Sequence, residues 1–223
     1  MQLLERVPFL AALSDTDRQW LAQRVRRRNY TRGDIVFQKD DPGEALFIVE
    51  SGSVRIHVTG AQGTDLTLAV MNPNDFFGDM SLLDGKPRSA SASAVTDCAL
   101  IVLERDHFTE LVRKRPDAAL AVLARVTQRL RGSDQMASDL AFLDAGGRLA
   151  RRLLEIAEQS GVTREDGVLL NVRITQEELA NMIGVTRESV NRNLSEFRRL
   201  GLIRNEGRKI IIRDPAGLRA YLE

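Results

Sequence analysis

The sequence predicts an α+β protein with an N-terminal domain of short strands, one long helix and a C-terminal winged helix-turn-helix. Three observations lead to this prediction. Short alternating apolar runs separated by glycines occupy residues 30–103, as in a barrel, jelly roll or sandwich. Apolar residues at coiled-coil spacing follow in residues 107–143. Residues 174–213 then show a helix, a turn with glycine, a second helix and a hairpin.

Composition limits the class of protein before any motif is considered. The 223 residues carry a net charge of +1, with 43% hydrophobic residues, as expected for a globular protein of one or two domains. The single cysteine, Cys98, excludes an internal disulfide, and with only His57 and His107 beside it we expect no metal, haem or iron–sulfur cluster. No membrane-length apolar run or signal peptide is visible, so the expected location is the cytoplasm, at the nucleoid.

The N-terminal third combines a predicted helix with predicted strands. Residues 1 to about 28 are expected to be helical, and the basic triplet Arg26, Arg27 and Arg28 would be the solvated end of that helix. Five runs of apolar and β-branched residues then predict strands. These runs are residues 35–37, 45–49, 53–58, 66–70 and 99–103.

The long helix predicts a dimer, because its apolar residues after Pro116 recur at alternating steps of four and three. Ser133 is a polar interruption of this seam. The residues assigned to the seam are Leu123, Val126, Leu130, Ala137 and Leu140. A parallel homodimer is the favoured interpretation, and packing of the helix on its own strand domain is the alternative. A hinge is predicted at residues 144–147, followed by a helix at 148–159, a polar loop at 160–167 and a strand at 168–172.

The helix-turn-helix is marked by its capping residues. Thr175 caps a helix that begins at Gln176, with Glu178 three residues on, as a capping box requires. Gly184 ends this helix, and Thr186 caps the second. The second helix carries apolar residues at helical spacing, followed by a glycine. These residues are Val190, Leu194, Phe197, Leu200 and Gly201.

The polar face of the second helix predicts contact with nucleic acid. It carries Arg187, Glu188, Asn191 and Arg192, and arginine and carboxylate groups match the donor and acceptor edges of bases in the major groove. A solvated helix face with a Glu188–Arg192 pair is the alternative. Residues 186–213 carry eight basic and three acidic side chains, a net charge of +5. This local excess favours a phosphate-binding surface.

A second cluster of functional residue types lies among the predicted strands. Gly78 allows a close backbone approach, and a helical turn after Asp79 would expose N–H groups to an anion. Arg88 offers a bidentate donor for phosphate, and Ser89 a hydroxyl. Asp79 can accept a hydrogen bond from a sugar hydroxyl. Together these residues predict a cyclic-nucleotide phosphate site.

The order of these features resembles the CRP/FNR family of bacterial transcription regulators, and residues 186–192 match the family's recognition-helix motif. The resemblance implies a cyclic-nucleotide-binding β-roll (jelly roll) at residues 1–108, a dimerisation helix at 109–143 and a winged helix-turn-helix at 144–223. It implies that Arg187 and Arg192 read guanines and Glu188 a cytosine amine in a TGTGA-like palindrome, with Asn191 on the same face. Phosphate contacts would come from Thr175, Gln176, Ser189, Arg208 and Lys209.

The resemblance also implies cAMP as the effector, although Asp79 stands where cAMP-binding members carry glutamate. The implied contacts are Gly78, Asp79, Met80, Ser81, Arg88 and Ser89, with Ser133 and Asp134 of the long helix. The expected partners are double-stranded DNA, a second copy of the chain and RNA polymerase. One alternative is the same regulator with another effector or none. A second alternative is a cyclic-nucleotide-binding subunit that acts on a protein partner. An enzyme is not expected, because the sequence shows no pairing of a nucleophile with a base.

Overall fold

The computed structural model describes Val7, Leu10 and residues 13–61, 63–172 and 174–222. The predicted helical residues before Leu13 otherwise lie outside this part of the chain. The described residues form two compact units, one within Met1–Val58 and Leu68–Gly132, the other within Thr59–Thr67 and Ser133–Glu223. Within the described ranges, no helix combines the length and the apolarity that crossing a bilayer would require.

The N-terminal strands form two four-stranded sheets, which confirms a roll of short strands. The first sheet has the order β1 (Arg26–Tyr30), β8 (Cys98–Glu104), β3 (Ala45–Ser51) and β6 (Phe76–Phe77). The second has the order β2 (Ile35–Phe37), β7 (Ser91–Ala94), β4 (Val54–Thr59) and β5 (Asp65–Met71).

Strand β3 shows why this part of the sequence forms a two-sided core. Side chains alternate across a strand, so its successive apolar residues face opposite sides of the sheet. Phe47 and Val49 join the cluster that also holds Val54 and Ala92 of the second sheet. Leu46 and Ile48 join the cluster formed with the helices. A strand buried on both faces has a continuous apolar run, as residues 45–49 do.

The basic triplet was predicted wrongly as a helix end. Helix α1 (Asp15–Ala22) is capped by the Ser14 side chain and stops short of the triplet, which belongs to strand β1 and pairs antiparallel with β8. Arg26 forms an ion pair with Glu104 at 3.4 Å, and Arg27 pairs with Glu50. Main-chain hydrogen bonds to the apolar strand β8 hold β1 in place. Its own side chains therefore need not alternate between apolar and polar, and the sequence shows no strand pattern there.

The predicted long helix is two helices, α3 (Arg105–Lys114) and α4 (Pro116–Phe142), which follow the short helix α2 (Asp79–Asp84). The break at Arg115 follows from Pro116, because proline disfavours a helical residue before it and suits the first helical position.

Helix α4 packs one face on its own strand domain, which is one of the two alternatives that the sequence left open, and exposes apolar side chains on another face; the homodimer stays a prediction. Ala118 and Val122 are buried, and Val122 and half-buried Val126 pack against the helix-side core of the roll. The other face exposes large apolar side chains, which are Leu120 (64%), Leu123 (54%), Leu130 (59%) and Leu140 (44%). Val126 of the predicted seam therefore packs partly on its own domain, and Leu120 extends the exposed stripe.

The second unit contains the predicted winged helix-turn-helix. Its helices are α5 (Ala145–Ser160), α6 (Gln176–Ile183), α7 (Arg187–Arg199) and α8 (Pro215–Arg219). Its sheet has the order β11 (Ile203–Glu206), β12 (Lys209–Ile212), β10 (Gly167–Leu170) and β9 (Gly161–Arg164). Leu149, Leu179, Val190 and Phe197 lie in one core that also includes residues of β10, β11 and β12.

The residues predicted as a hinge form the start of α5, and their motion stays a prediction. Asp144 is the N-cap and accepts a hydrogen bond from the Gly147 N–H at 2.8 Å. A Cβ on Gly147 would lie 2.6 Å from the Tyr221 carbonyl oxygen, so this glycine serves close packing. The predicted polar loop at residues 160–167 contains strand β9, whose four residues are all exposed and therefore lack an apolar alternation.

Candidate functional site

Helix α7 presents its polar face because capping and apolar residues fix its start and its rotation. The Thr186 hydroxyl accepts a hydrogen bond from the Ser189 N–H at 3.3 Å, and Gly201 follows the helix with a φ of 75°. The buried face consists of Val190, Leu194 and Phe197. The exposed residues of the first two turns are Arg187, Glu188, Asn191 and Arg192, which are the residues that the sequence assigned to base reading.

Two interactions order this exposed face. The Gln176 side-chain amide donates to Asn191 Oδ1 at 3.3 Å, so the start of α6 lies beside α7. The pKa of Glu188 is lowered, first by its backbone N–H at the helix start and then by the Thr186 hydroxyl. Glu188 therefore remains an ionised acceptor at a pH where an ordinary glutamate begins to take up a proton.

The residues predicted to contact phosphate lie on α6, on α7, which carries Ser189, and in the wing formed by β11 and β12. Thr175 and Gln176 are at the start of α6, and the Thr175 hydroxyl is already engaged in the capping box with Glu178. Arg208 is exposed in the two-residue turn between β11 and β12. Lys209 Nζ donates to Asn171 Oδ1 at 2.7 Å. Of these residues, Arg208 is the exposed cation at the tip of the wing.

A network of ion pairs that was not predicted from the sequence crosses the sheet of the second unit. Arg204 pairs with Asp166 and, at 3.3 Å, with Glu206, while Arg164 pairs with Glu206 at 2.8 Å. Hydrogen bonding to Asp166 raises the pKa of Arg204, and the same contact lowers the pKa of Asp166. Arg204 was counted in the basic excess, but these carboxylates compensate its charge. Asp166 lies 38 residues away, so no local pattern links the two.

The second candidate site is built around Gly78, the N-cap of α2, which has a φ of 81°. A Cβ at this position would lie 2.7 Å from Arg88 Nη1, so glycine is required both for the backbone conformation and for the approach of the arginine. Asp79 and Ser81 are buried, whereas Met80 and Ser89 are exposed. The structure thus brings together these predicted residues of the first unit.

Arg88 is a buried cation, only 4% exposed. Its two terminal nitrogens donate to the carbonyl oxygens of Gly78 and Ala45, both at 2.7 Å, and its guanidinium lies 4.3 Å from the ring centre of Phe37. Burial, followed by the nearby charge of Arg105, lowers its pKa. Its Nε is buried and has no hydrogen-bond partner among the described residues. A buried guanidinium with a spare donor is suited to an anionic ligand.

Arg129 of α4 lies at this candidate site, and sequence reasoning missed it. Its guanidinium pairs with the carboxylate of Asp79, which is 1% exposed. One turn earlier on the same helix, Arg125 pairs with Asp75. The available signal was the spacing, since arginines four residues apart match aspartates four residues apart. These two pairs connect the predicted ribose-binding carboxylate to the long helix.

Arg105 is a second residue that the sequence did not reveal. It donates to the carbonyl oxygens of Leu82 at 3.1 Å, Gly43 at 2.8 Å and Ser81 at 2.9 Å. These bonds satisfy carbonyls at the end of the short helix α2 and hold the preceding loop. Arg105 therefore shapes the site through the backbone.

Ser133 and Asp134, the remaining predicted effector contacts, are exposed on α4. They belong to the second compact unit, whereas Gly78, Arg88 and Ser89 belong to the first. Their contribution to effector binding stays a prediction.

Two family models match the chain, one in each part that holds a candidate site. Residues 27–115 match the cyclic nucleotide-binding domain, and residues 147–221 match the Crp-like helix-turn-helix domain. The chain belongs to the CRP/FNR family. Members of this family are transcription regulators, and this CRP/FNR regulator carries both the effector-domain fold and the DNA-binding fold of the family.

Relatives of this CRP/FNR regulator extend over nearly the whole chain. The CRP-like cAMP-activated global transcriptional regulator of Mycobacterium tuberculosis is 33% identical over 214 residues, covering 96% of this chain and 95% of the relative. The cyclic AMP receptor protein of Thermus thermophilus is 38% identical over 190 residues, covering 85% of each chain. The solved c-di-GMP responsive global regulator CLP of Xanthomonas campestris matches with a TM-score of 0.79 and 25% identity, covering 89% of this chain and 99% of that one.

Proposed function

We propose that this CRP/FNR regulator acts as a homodimer, is gated by cAMP bound in the β-roll, and reads a TGTGA-like palindrome. The exposed face of α7 is the observation that carries the proposal. Arg187, Glu188, Asn191 and Arg192 are held on a capped helix whose other face is buried. Such a helix is complementary in shape to the major groove, and its charges are complementary to base edges and phosphates.

In the proposed complex, Arg187 and Arg192 donate to guanine O6 and N7, and Glu188 accepts from a cytosine amine. Asn191 lies on the same face and is oriented by Gln176. Thr175, Gln176, Ser189, Arg208 and Lys209 contact phosphates and fix the position of the helix in the groove.

The homodimer is proposed from the apolar stripe on α4. Leu120, Leu123, Leu130 and Leu140 would otherwise expose several large apolar side chains along one helix face. A second copy of α4 would bury them at coiled-coil spacing, with Ala137 also in the seam. Two recognition helices related by a two-fold axis then match half-sites about one helical turn apart. RNA polymerase is the proposed downstream partner.

The effector assignment rests on Arg88. A cyclic phosphate would accept from its buried Nε and from the Ser89 hydroxyl, beside Gly78, Met80 and Ser81, while Asp79 would accept from the ribose hydroxyl. Ser133 and Asp134 are proposed to contact the base. Relatives named for cAMP support this effector. The CLP protein is named for c-di-GMP, which makes that dinucleotide the second candidate.

Ligand binding would change α4 through Asp79. This carboxylate is paired with Arg129. A ribose hydroxyl that donates to Asp79 changes the environment of that pair, and α4 therefore responds to the ligand. The ligand shifts the population of dimers toward the DNA-binding arrangement only if it binds that arrangement more tightly.

A direct test is binding of a TGTGA-N₆-TCACA duplex in a gel-shift assay with and without cAMP. We expect cAMP, but not cGMP, to strengthen the shift. Calorimetric titrations with cAMP, cGMP and c-di-GMP should give heat with cAMP alone, and heat with c-di-GMP instead would favour the second candidate. A monomeric chain that binds the palindrome no better than a scrambled duplex would disprove the proposed function.

Replacing Arg208 in the wing should weaken binding to all duplexes alike, because a phosphate contact carries no sequence information. Arg208→Ala is expected to reduce the slope of log affinity against log salt by about 0.9 for each subunit. Fluorescence anisotropy over a salt series measures this slope. Arg219→Ala, which removes an exposed arginine of α8, is the control and should leave it unchanged. A loss confined to the palindrome would assign Arg208 to base reading instead.

A further inference from the structure

Met80 is an exposed methionine within the proposed effector site. It is the second residue of α2, and the residue is 53% exposed. Met71 is 5% exposed, and Met136 and Met182 are half-buried. Met80 is therefore the one exposed methionine among those that the structure describes. Oxidation of methionine follows the accessibility of its sulfur, so Met80 should react first.

The Met80 sulfur contacts a second residue of the same site. The Ser89 hydroxyl donates to Met80 Sδ across 3.5 Å. A thioether sulfur is a weak acceptor, so this hydroxyl can turn readily to a stronger one, such as a phosphate oxygen. Met80 and an anionic ligand therefore compete for the same donor, and the chemical state of the sulfur affects the result of that competition.

We propose that Met80 is a peroxide-sensitive modification site that controls effector binding. This inference rests on the proposed function, namely that the cluster around Arg88 and Ser89 binds an anionic nucleotide. In the reaction, a sulfur lone pair attacks one oxygen of hydrogen peroxide. The S–O bond forms as the O–O bond breaks, the sulfide is oxidised by two electrons, and the peroxide is reduced to water. Methionine sulfoxide is the product, and it can be reduced again enzymatically.

The sulfoxide is expected to weaken ligand binding for two reasons. Its oxygen is a much stronger acceptor than the thioether sulfur, so it retains the Ser89 hydroxyl that the phosphate needs. The same oxygen carries partial negative charge and stands where an anion must bind. By thermodynamic linkage, the sulfoxide lowers the affinity for the nucleotide by the same factor by which bound nucleotide disfavours the sulfoxide. Bound ligand should also shield the sulfur from peroxide.

The test treats the full-length protein with increasing hydrogen peroxide and follows each methionine by peptide mass spectrometry. Affinity for cAMP is measured by calorimetry before and after treatment. We expect Met80 to gain its oxygen before Met71, Met136 and Met182, and the affinity to fall about tenfold or more, the size of one lost hydrogen bond. The loss should track the fraction of Met80 oxidised and should be prevented by prior saturation with cAMP.

Two variants separate Met80 from other oxidised residues. Met80→Leu, whatever its own starting affinity, should keep that affinity after peroxide, whereas Met182→Leu should lose affinity as the native chain does. The inference is overturned if peroxide weakens binding equally in Met80→Leu, if full oxidation of Met80 leaves the affinity unchanged, or if Met182 reacts as fast as Met80. An untreated chain that binds neither cAMP nor c-di-GMP would instead remove the effector assignment, and this inference with it.

Discussion

Arg192→Ala is expected to abolish the preference of the protein for its palindrome while leaving weak binding to any duplex. Arg192 is exposed in the second turn of α7 and makes no contribution to the buried face, so its removal should not unfold the helix. A bidentate arginine–guanine contact is worth about 1–3 kcal/mol of discrimination, and a dimer makes it twice. The specific affinity should therefore fall by at least about 30-fold. Competition anisotropy with palindromic and scrambled duplexes measures the difference.

Arg192→Lys is the matched control for this experiment, because lysine keeps the charge but lacks the planar pair of donors. We expect the lysine variant to bind scrambled DNA like the native chain and to show the same loss of preference as the alanine variant. Full recovery of the preference by lysine would show that a positive charge at this position is sufficient to read the base, without the planar pair of donors. An unchanged preference in both variants would remove Arg192 from the base-reading set.

The helix-turn-helix could be predicted from sequence because its determinants are local. Thr175 and Thr186 cap helices α6 and α7, Gly184 separates them with a φ of 67°, and each signal lies within a few residues of the feature it determines. The exposure of Arg187 and Arg192 follows from the same helical periodicity. A long, strongly periodic segment of this kind leaves little freedom for tertiary contacts to change its structure.

The remainder depended on contacts between residues that are distant in sequence. Strand β1 forms because main-chain groups of β8 are available to it, and nothing in the basic triplet itself indicates a strand. Strand β9 is exposed at every residue and pairs with β10 through its backbone. The Asp79–Arg129 pair joins residues 50 positions apart. The sequence prediction joined the candidate effector site to the long helix through Ser133 and Asp134 and missed this pair.

The Asp79–Arg129 pair also changes how the shorter carboxylate should be interpreted. Asp79 stands where cAMP-binding members carry glutamate, and an isolated aspartate would reach less far toward a ribose. Here the carboxylate is buried, and an arginine of α4 fixes its position. A ligand hydroxyl that reaches Asp79 therefore contacts a preorganised acceptor, which lowers the cost of ordering the site.

Arg88→Gln is expected to weaken effector binding strongly. The phosphate loses the charge-assisted hydrogen bond from the buried Nε, worth about 1.5–3 kcal/mol, so the affinity for cAMP should fall by about 10- to 100-fold. Calorimetry measures this loss directly. Saturating cAMP should raise the melting temperature of the native chain, because ligand that binds only the folded state stabilises it, and this rise should be smaller in the variant at the same cAMP concentration.

Arg105→Gln separates ligand binding from the support of the site. Arg105 donates three bonds to backbone carbonyls, whereas Arg88 donates two and carries a buried charge with a spare Nε donor. Removing Arg88 relieves the desolvation of that charge, so the melting temperature of the ligand-free protein should fall less in Arg88→Gln than in Arg105→Gln. An Arg88→Gln chain that still binds cAMP as tightly as the native chain would place the phosphate elsewhere. Removal of a direct ligand contact must lower the affinity even where the protein is fully folded. If Arg88→Gln instead loses cAMP binding only to the extent that the variant is unfolded, Arg88 is a structural residue.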